Sequence, residues 1–423
     1  MSELGVFDPL ASRPQHGPGS VSDLRYREVS KYTFPTWSER LETVFPKADL
    51  AFANYDRWID WLTQNENDAI LREEEGCSKL ISVPKTQKAP RLIASEPVSN
   101  QWCQQAIEDF LQSGVKRTSL KRSIDFFSQE ANRRMALQAS QSQEYATIDL
   151  SSASDRMSCW LVERVFRRNP TTLDAIKASR TRFISNDIDR KSPKLHKLRK
   201  LSAMGSAITF PVQTYVYAII AMGALLHVED LPVTIKNIRK FAPKVRVFGD
   251  DIIVPITSTD ATILALETLK FKVNTDKTFY TGKFRESCGI DAYDGNDVSA
   301  VYAIALPSRS RPESLLSILS TRNNFYKRGY YEVADYLETL VRKEWPFLAI
   351  PYEPVDSGVT PSIWSHMGKD WDHLKKRWNP SLQLYEYYRT LPRGRVTIGP
   401  QDGNSNLLQY FTEEPAPHTM WKS

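Results

Sequence analysis

Cysteine is scarce. Only Cys77, Cys103, Cys159 and Cys288 occur in 423 residues, and no two form a CxxC pair. The six histidines are dispersed in the same way, so the spacing of a zinc site is missing and the usage fits a reducing cytoplasm. The first residues, MSELGVFDPL, lack a basic stretch followed by an apolar one, and no signal peptide is expected. The longest apolar run, YVYAIIAMGALLHV from Tyr215 to Val228, is short for a bilayer crossing and reads as a buried helix. Internal repeats and low-complexity tracts are lacking too. Charge of one sign hardly dominates: 56 Lys and Arg stand against 50 Asp and Glu, a net charge of +6. That balance permits a nucleic-acid partner without requiring one. The length exceeds what one core usually fills, so two or three subdomains are expected.

What is present has a clear order. The arm up to about Ser30 is rich in Pro, Gly and Ser and is expected to lie extended on the surface. FANYDRWIDWLTQ puts Tyr55, Trp58, Ile59 and Leu62 on one helical face, which reads first as a core face and only second as a stacking surface. LISVPKTQKAPRLIAS reads as strand, turn and strand, with Lys85, Lys88 and Arg91 around the turn. YATIDL is a strand by alternation and β-type residues. SSASD follows as a turn with side chains able to cap the helix MSCWLVERVF, Asp155 among them. The segment from Arg180 to Lys200 is strongly basic. AMGSAITFP is a glycine-containing turn into the apolar helix. Beyond Ala300 the pattern reads as helical and rich in Arg, Lys, Tyr and Trp, a separate C-terminal subdomain.

The stretch VFGDDIIVP, residues 247–255, sets two carboxylates, Asp250 and Asp251, in an apolar context straight after Gly249. It reads as two strands joined by a tight turn. Two like charges about 4 Å apart cost roughly 4 kcal/mol at an effective dielectric near 20. Such a pair must be protonated, matched by cations or bound to metal. Oxygen-only ligands with no His or Cys nearby favour a hard cation such as Mg²⁺ or Mn²⁺. If strand YATIDL pairs beside this hairpin, Asp149 approaches the doublet. Three carboxylates on adjoining strand ends can hold two divalent ions about 3.5–4 Å apart, the geometry of in-line phosphoryl transfer.

These segments, taken in order, resemble the RNA-dependent RNA polymerases, specifically the replicase subunit of the leviviruses, the Qβ-like small RNA bacteriophages. The matching residues are VPK…K…R (Val83 to Arg91), ATIDLSSASD (Ala146 to Asp155), MGSAITF (Met204 to Phe210), FGDD (Phe248 to Asp251), NTDKTF (Asn274 to Phe279) and FRESCG (Phe284 to Gly289). Narnaviruses, mitoviruses and ourmia-like viruses have similar cores and are neighbouring alternatives. The chain departs from the pattern in a shorter part before VPK, in Ala207 where glycine is usual, and in Gln213 where an acidic residue is common.

The resemblance implies an α+β right-hand fold: an arm and fingers over 1–145, a palm of antiparallel sheet plus helices over 146–300 with a fingers insertion near 165–203, and a helical thumb over 301–423. It implies that Asp149, Asp250 and Asp251 hold two Mg²⁺ ions, with Mn²⁺ possible, and that Lys277 serves the leaving pyrophosphate. Lys85, Lys88 and Arg91 would line the triphosphate path. Asp155 and Ser206 would sense the ribose hydroxyl, and Arg285, Glu286 and Ser287 would grip the 3′ end of the product strand. The basic loop and WDHLKKRWNP (Trp371 to Pro380) would contact RNA backbone. Partners implied are template and product RNA, rNTPs and, by family precedent, host elongation factors Tu and Ts and ribosomal protein S1, in the cytoplasm of an infected bacterium and without a membrane. The competing readings are a non-catalytic RNA-binding protein on a decayed palm, disfavoured by the three retained carboxylates, and a reverse transcriptase, disfavoured by Gly249 before the doublet.

Overall fold

The computed structural model describes residues 1–12, 14–17, 19–24, 30–64, 75–83, 90–303, 306–391 and 403–412. The architecture is α+β. One compact unit comprises Met1–Val298 with Ile398–Ser423, and a second comprises Ser299–Thr397.

At the centre of the first unit is a three-stranded antiparallel sheet. Strand Asp251–Pro255 runs between Tyr145–Ile148 and Arg246–Phe248. The β-branched run Ile252-Ile253-Val254 is buried on both faces. Ile252 and Val254 join the main core, while Ile253 meets Ala136 of the helix Glu130–Ser142 and Ile290. Ile148 pairs with Ile252 and Val247 pairs with Ile252 from the other side. The next residues towards the turn are therefore Asp149 and Asp251, so register alone brings the acidic segments together.

The apolar run seen in the sequence lies inside a 20-residue helix, Thr209–Val228. It is long and apolar enough to cross a membrane by composition, yet 78% of its apolar window is buried within the protein. Its Tyr215 and Tyr217 are fully buried. Their hydroxyls donate to Leu111 O (2.9 Å) and Ala153 O (3.2 Å), which removes the cost of taking them out of water.

A four-stranded sheet runs in the order Arg91–Ser95, Ser78–Val83, Phe183–Ser185, Leu195–Lys197, with the middle pair parallel and the outer pairs antiparallel. The basic segment thus forms a real hairpin. In the second unit, helices Ser314–Lys327 and Tyr331–Glu344 enclose Leu315, Ile318, Leu319, Leu337 and Val341.

Three expectations need correcting. The N-terminal arm is not merely superficial: Leu4 and Phe7 sit in the main core, and Glu3 accepts from Ser119, because burying two large apolar side chains outweighs leaving them in water. On the helix Tyr55–Gln64 the packed face is set by Trp58 and Trp61, which stack at 5.5 Å beside Phe52, while Tyr55 and Ile59 are exposed. After Glu344 the second unit turns from helix to short strand pairs, Tyr352–Glu353 with Ile363–Trp364 and Lys376–Asn379 with Leu384–Tyr387.

Candidate active site

A cleft of about 750 Å³ opens above the carboxylate end of the central sheet. Its wall includes Arg91, Asp149, Asp155, Gly205, Ser206, Phe210, Gln213, Asp250, Asn274 and Lys277. Residues from five sequence segments therefore meet in one place.

Asp149 follows strand Tyr145–Ile148 and is tied down on three sides. Its N–H donates to Thr278 Oγ1 (3.3 Å), its carbonyl accepts from Asn274 N (2.9 Å), and Asn274 Nδ2 donates to its Oδ2 (2.8 Å). Burial raises its carboxyl above the ordinary range, the Asn274 bond opposes this, and the Asp250 charge adds to it.

Asp250 stands in the turn after Gly249, whose φ of +65° a side-chain-bearing residue rarely adopts. The Gly249 N–H donates to Thr214 Oγ1 (3.0 Å), and a Cβ there would press the Phe210 ring at 3.2 Å. The turn is thus moulded onto the helix Thr209–Val228.

Asp251 is the first residue of its strand and follows Asp149 in register. Its carboxylate accepts from the backbone N–H of Cys288. Burial pushes the Asp251 carboxyl up to about 6, with the Asp250 and Asp149 charges adding to the shift. The neighbouring Cys288 thiol is pushed up to about 12, chiefly by burial. Among the described residues, no group of three or more Asp, Glu, His or Cys side chains stands close enough to hold one ion. Of the expected trio, Asp149 and Asp250 stand on the cleft wall. That pair offers only oxygen donors, a set that suits a hard cation.

Lys277 reaches the cleft from the short 3₁₀ turn Thr275–Lys277. Its ammonium donates to Glu286 Oε1 (2.7 Å), which raises its pKa. Arg91 begins its strand with an exposed side chain at the cleft rim. Lys85 and Lys88 lie outside the described residues.

Asp155 does not cap the helix that follows. The cap of Cys159–Phe166 is Ser158, whose side chain accepts from Leu161 N, and Asp155 instead pairs with Lys200 at the cleft edge. Ser206 is 6% exposed and donates to Gln104 Oε1 (3.0 Å).

The expected product grip is also reorganised. In strand Phe284–Ser287 the period-two alternation turns Arg285 and Ser287 inward, at 0% and 1% exposure. Arg285 donates to three carbonyls, Tyr145 O (2.6 Å), Gly282 O (2.9 Å) and Phe284 O (2.6 Å), so it braces the sheet instead of meeting a strand of RNA. Only Glu286 faces outward, and it holds Lys277. In the basic hairpin, Arg180 likewise serves the fold by donating to Leu198, Lys200 and Leu201 carbonyls, and Arg182 pairs with Glu75.

Sequence reasoning passed over Asn274 and Gln104. Asn274 stood inside a matched segment, and a side-chain amide beside a carboxylate was a usable signal. Gln104 carried little local signal, since Ser179 and Ser206 among its partners lie 75 and 102 residues away.

The carboxylates Asp149 and Asp250 thus share one open cleft with the cations Arg91 and Lys277. The chain matches the RNA replicase, beta-chain, family over residues 48–327 and belongs to that family. It is 32% identical over 258 residues to the RNA-directed RNA polymerase subunit beta of Escherichia virus Qbeta, covering 59% of this chain and 38% of that protein. It is 31% identical over 276 residues to the RNA-directed RNA polymerase beta chain of Enterobacteria phage GA, covering 64% and 47%. The corresponding chain of Escherichia phage MS2 is 29% identical over 266 residues, covering 63% and 44%. The chain spans less than half the length of these relatives. The solved RNA-dependent RNA polymerase of a human picorbirnavirus superposes with a TM-score of 0.45 at 14% identity, covering 65% of this chain and 57% of that one.

Proposed function

We propose that this chain is an RNA-dependent RNA polymerase that joins rNTPs along a single-stranded RNA template, as in an RNA phage genome. The observation that carries the reading is the meeting of Asp149, Asp250, Arg91, Lys277 and Ser206 on one cleft. The central sheet then serves as the palm of a right-hand polymerase. Asp149 and Asp250 would hold Mg²⁺ or Mn²⁺, which supplies neutralising charge at the triphosphate and activates the attacking 3′ hydroxyl. Arg91 offers a planar fork for two phosphate oxygens at the cleft rim. Lys277, oriented by Glu286, places a proton-bearing ammonium where the pyrophosphate departs. Asn274 and Thr278 keep the Asp149 segment from shifting as the substrate enters.

The test is rNTP incorporation on a single-stranded RNA template by the purified chain, alongside Asp250→Asn. Incorporation by the native chain and its loss in the variant support the reading. No incorporation by the native chain, with template bound and the fold intact, overturns it. Substituting dNTPs in the same assay separates this reading from a reverse transcriptase.

A further inference from the structure

Behind the Met204–Ser206 turn lies a buried polar chain. Gln104, on the helix Val98–Gly114, has 0% exposure. Its Nε2 donates to Glu96 Oε2 (3.1 Å) and to Ser179 O (3.0 Å). Its Oε1 accepts from Ala207 N–H (3.3 Å) and from the Ser206 hydroxyl (3.0 Å).

The neighbours dictate which way this amide points. Ser179 O is a carbonyl and only accepts, so the atom facing it is the NH₂ group. The Ala207 N–H only donates, so the atom facing it is the oxygen. Glu96 is itself buried and accepts from Thr181, which holds the far end of the chain. The consequence falls on Ser206. The oxygen in front of its hydroxyl carries no hydrogen, so Ser206 spends its one hydrogen on Gln104. What is left on Ser206 Oγ is acceptor capacity only.

The turn has no freedom to escape this arrangement. Ala94 N–H donates to Met204 O (2.7 Å), and a Cβ on Gly205 would lie 2.2 Å from Ala94 O. Ser206 forms part of the cleft wall.

We propose that Gln104 is a positioning residue that fixes the Ser206 hydroxyl as an obligate hydrogen-bond acceptor towards the cleft, so that the site favours a nucleotide whose sugar presents a donor hydroxyl. The inference rests on the polymerase reading given above. A freely rotating serine hydroxyl donates or accepts and discriminates little. One locked by Gln104 is matched by a ribose hydroxyl and left unpaired by a deoxyribose.

The test compares the native chain, Gln104→Met, Ser206→Ala and the double variant. The readouts are the rNTP-to-dNTP incorporation ratio in competition, separate kcat and KM values, and the melting temperature. Gln104→Met keeps length and volume but cannot hydrogen-bond. The expected result is a ratio lowered roughly tenfold in each single variant, the scale of one neutral hydrogen bond. The double variant should fall no further, because both changes remove the same contact. A ratio unchanged in Gln104→Met at native melting temperature overturns the proposal, and so does a fully additive double variant. If Gln104→Met does not fold, Ser206→Ala alone decides, since an unchanged ratio there leaves Gln104 nothing to position. A native chain that incorporates neither sugar overturns the polymerase reading and the proposal together, whereas incorporation with unaltered selectivity overturns the proposal alone.

Discussion

Two glycine turns border the cleft, and they are held by different materials. Gly249 has φ of +65°, and a Cβ there would meet the Phe210 ring at 3.2 Å, a side chain that would have to give by a few tenths of an ångström. Gly205 has φ of +111° and rests against the Ala94 carbonyl, a backbone atom locked in a sheet. The first turn carries Asp250, the second carries Ser206. One presents charge from a mounting that can adjust, and the other sets a surface whose position is dictated by main chain. On the polymerase reading proposed above, the difference divides the labour, with chemistry on the first turn and fit on the second.

The largest effect should come from the charge on the compliant turn. Asp250→Asn is expected to lower incorporation by about a thousandfold or more, as for loss of a group acting in the reacting centre. Its melting temperature should hold or rise, because a repulsive charge near Asp149 and Asp251 is removed. Near-native incorporation by a folded variant would break the comparison at its root.

Alanine at the two glycines tests the mountings directly. Gly205→Ala should destabilise by about 2–4 kcal/mol, combining backbone strain with a carbonyl clash. Gly249→Ala should cost about 1–2 kcal/mol, the penalty of the left-handed region for a residue with a Cβ, with a side chain and no backbone atom to displace. Chemical denaturation of both variants measures the order, and equal losses would show that the Phe210 ring is as unyielding as the Ala94 carbonyl.

A smaller effect is expected on the strand that locks the rigid turn. Arg91→Lys should reduce incorporation by roughly tenfold through loss of the two-pronged phosphate contact, and RNA binding at fixed salt should stay close to native. A parallel fall in RNA affinity would move Arg91 from the triphosphate to the template.

The smallest concerns Glu96, which lies beneath the rigid turn through Gln104. Burial raises its carboxyl above the ordinary value of 4.5. The folded state therefore holds this proton more tightly than the unfolded one. The stability it contributes is complete below pH 4.5 and is lost as pH rises through the folded pKa. Glu96→Gln keeps an acceptor for Thr181 and Gln104 and removes the titration. Its denaturation midpoint should fall less than the native one as pH is raised from 4.5, and identical slopes would place the dependence elsewhere.

The central hairpin was legible because its signals are local. A run of β-branched residues fixes the central strand, and Gly249 fixes the turn. The approach of Asp149 followed once those strands were paired. The bond from the Cys288 N–H to Asp251 was not read, since it joins residues 37 positions apart. Arg285 failed for a related reason. A cation in a matched segment suggests a contact with RNA, but inward-facing alternation and three nearby carbonyls convert it into a brace. Ser158, not Asp155, caps the helix because the cap belongs to whichever hydroxyl sits three residues before a free N–H, a distinction of three positions that sequence leaves open. Gln104 was invisible because the bonds that tie it to Ser179, Ser206 and Ala207 each close a long loop.

The topology of the central sheet also governs how the protein comes off the ribosome. Strand Tyr145–Ile148 finds its partner only at Asp251–Pro255, and Asn274 reaches Asp149 across 125 residues. At about 5–20 residues per second, the first strand waits roughly 5–20 s with both edges unpaired before its neighbour is synthesised. Throughout that interval Asp149 is an ordinary solvated side chain. The cleft is therefore a late product of synthesis, and a nascent chain stalled before Asn274 carries most of the residues of the site without the bonds that clamp Asp149.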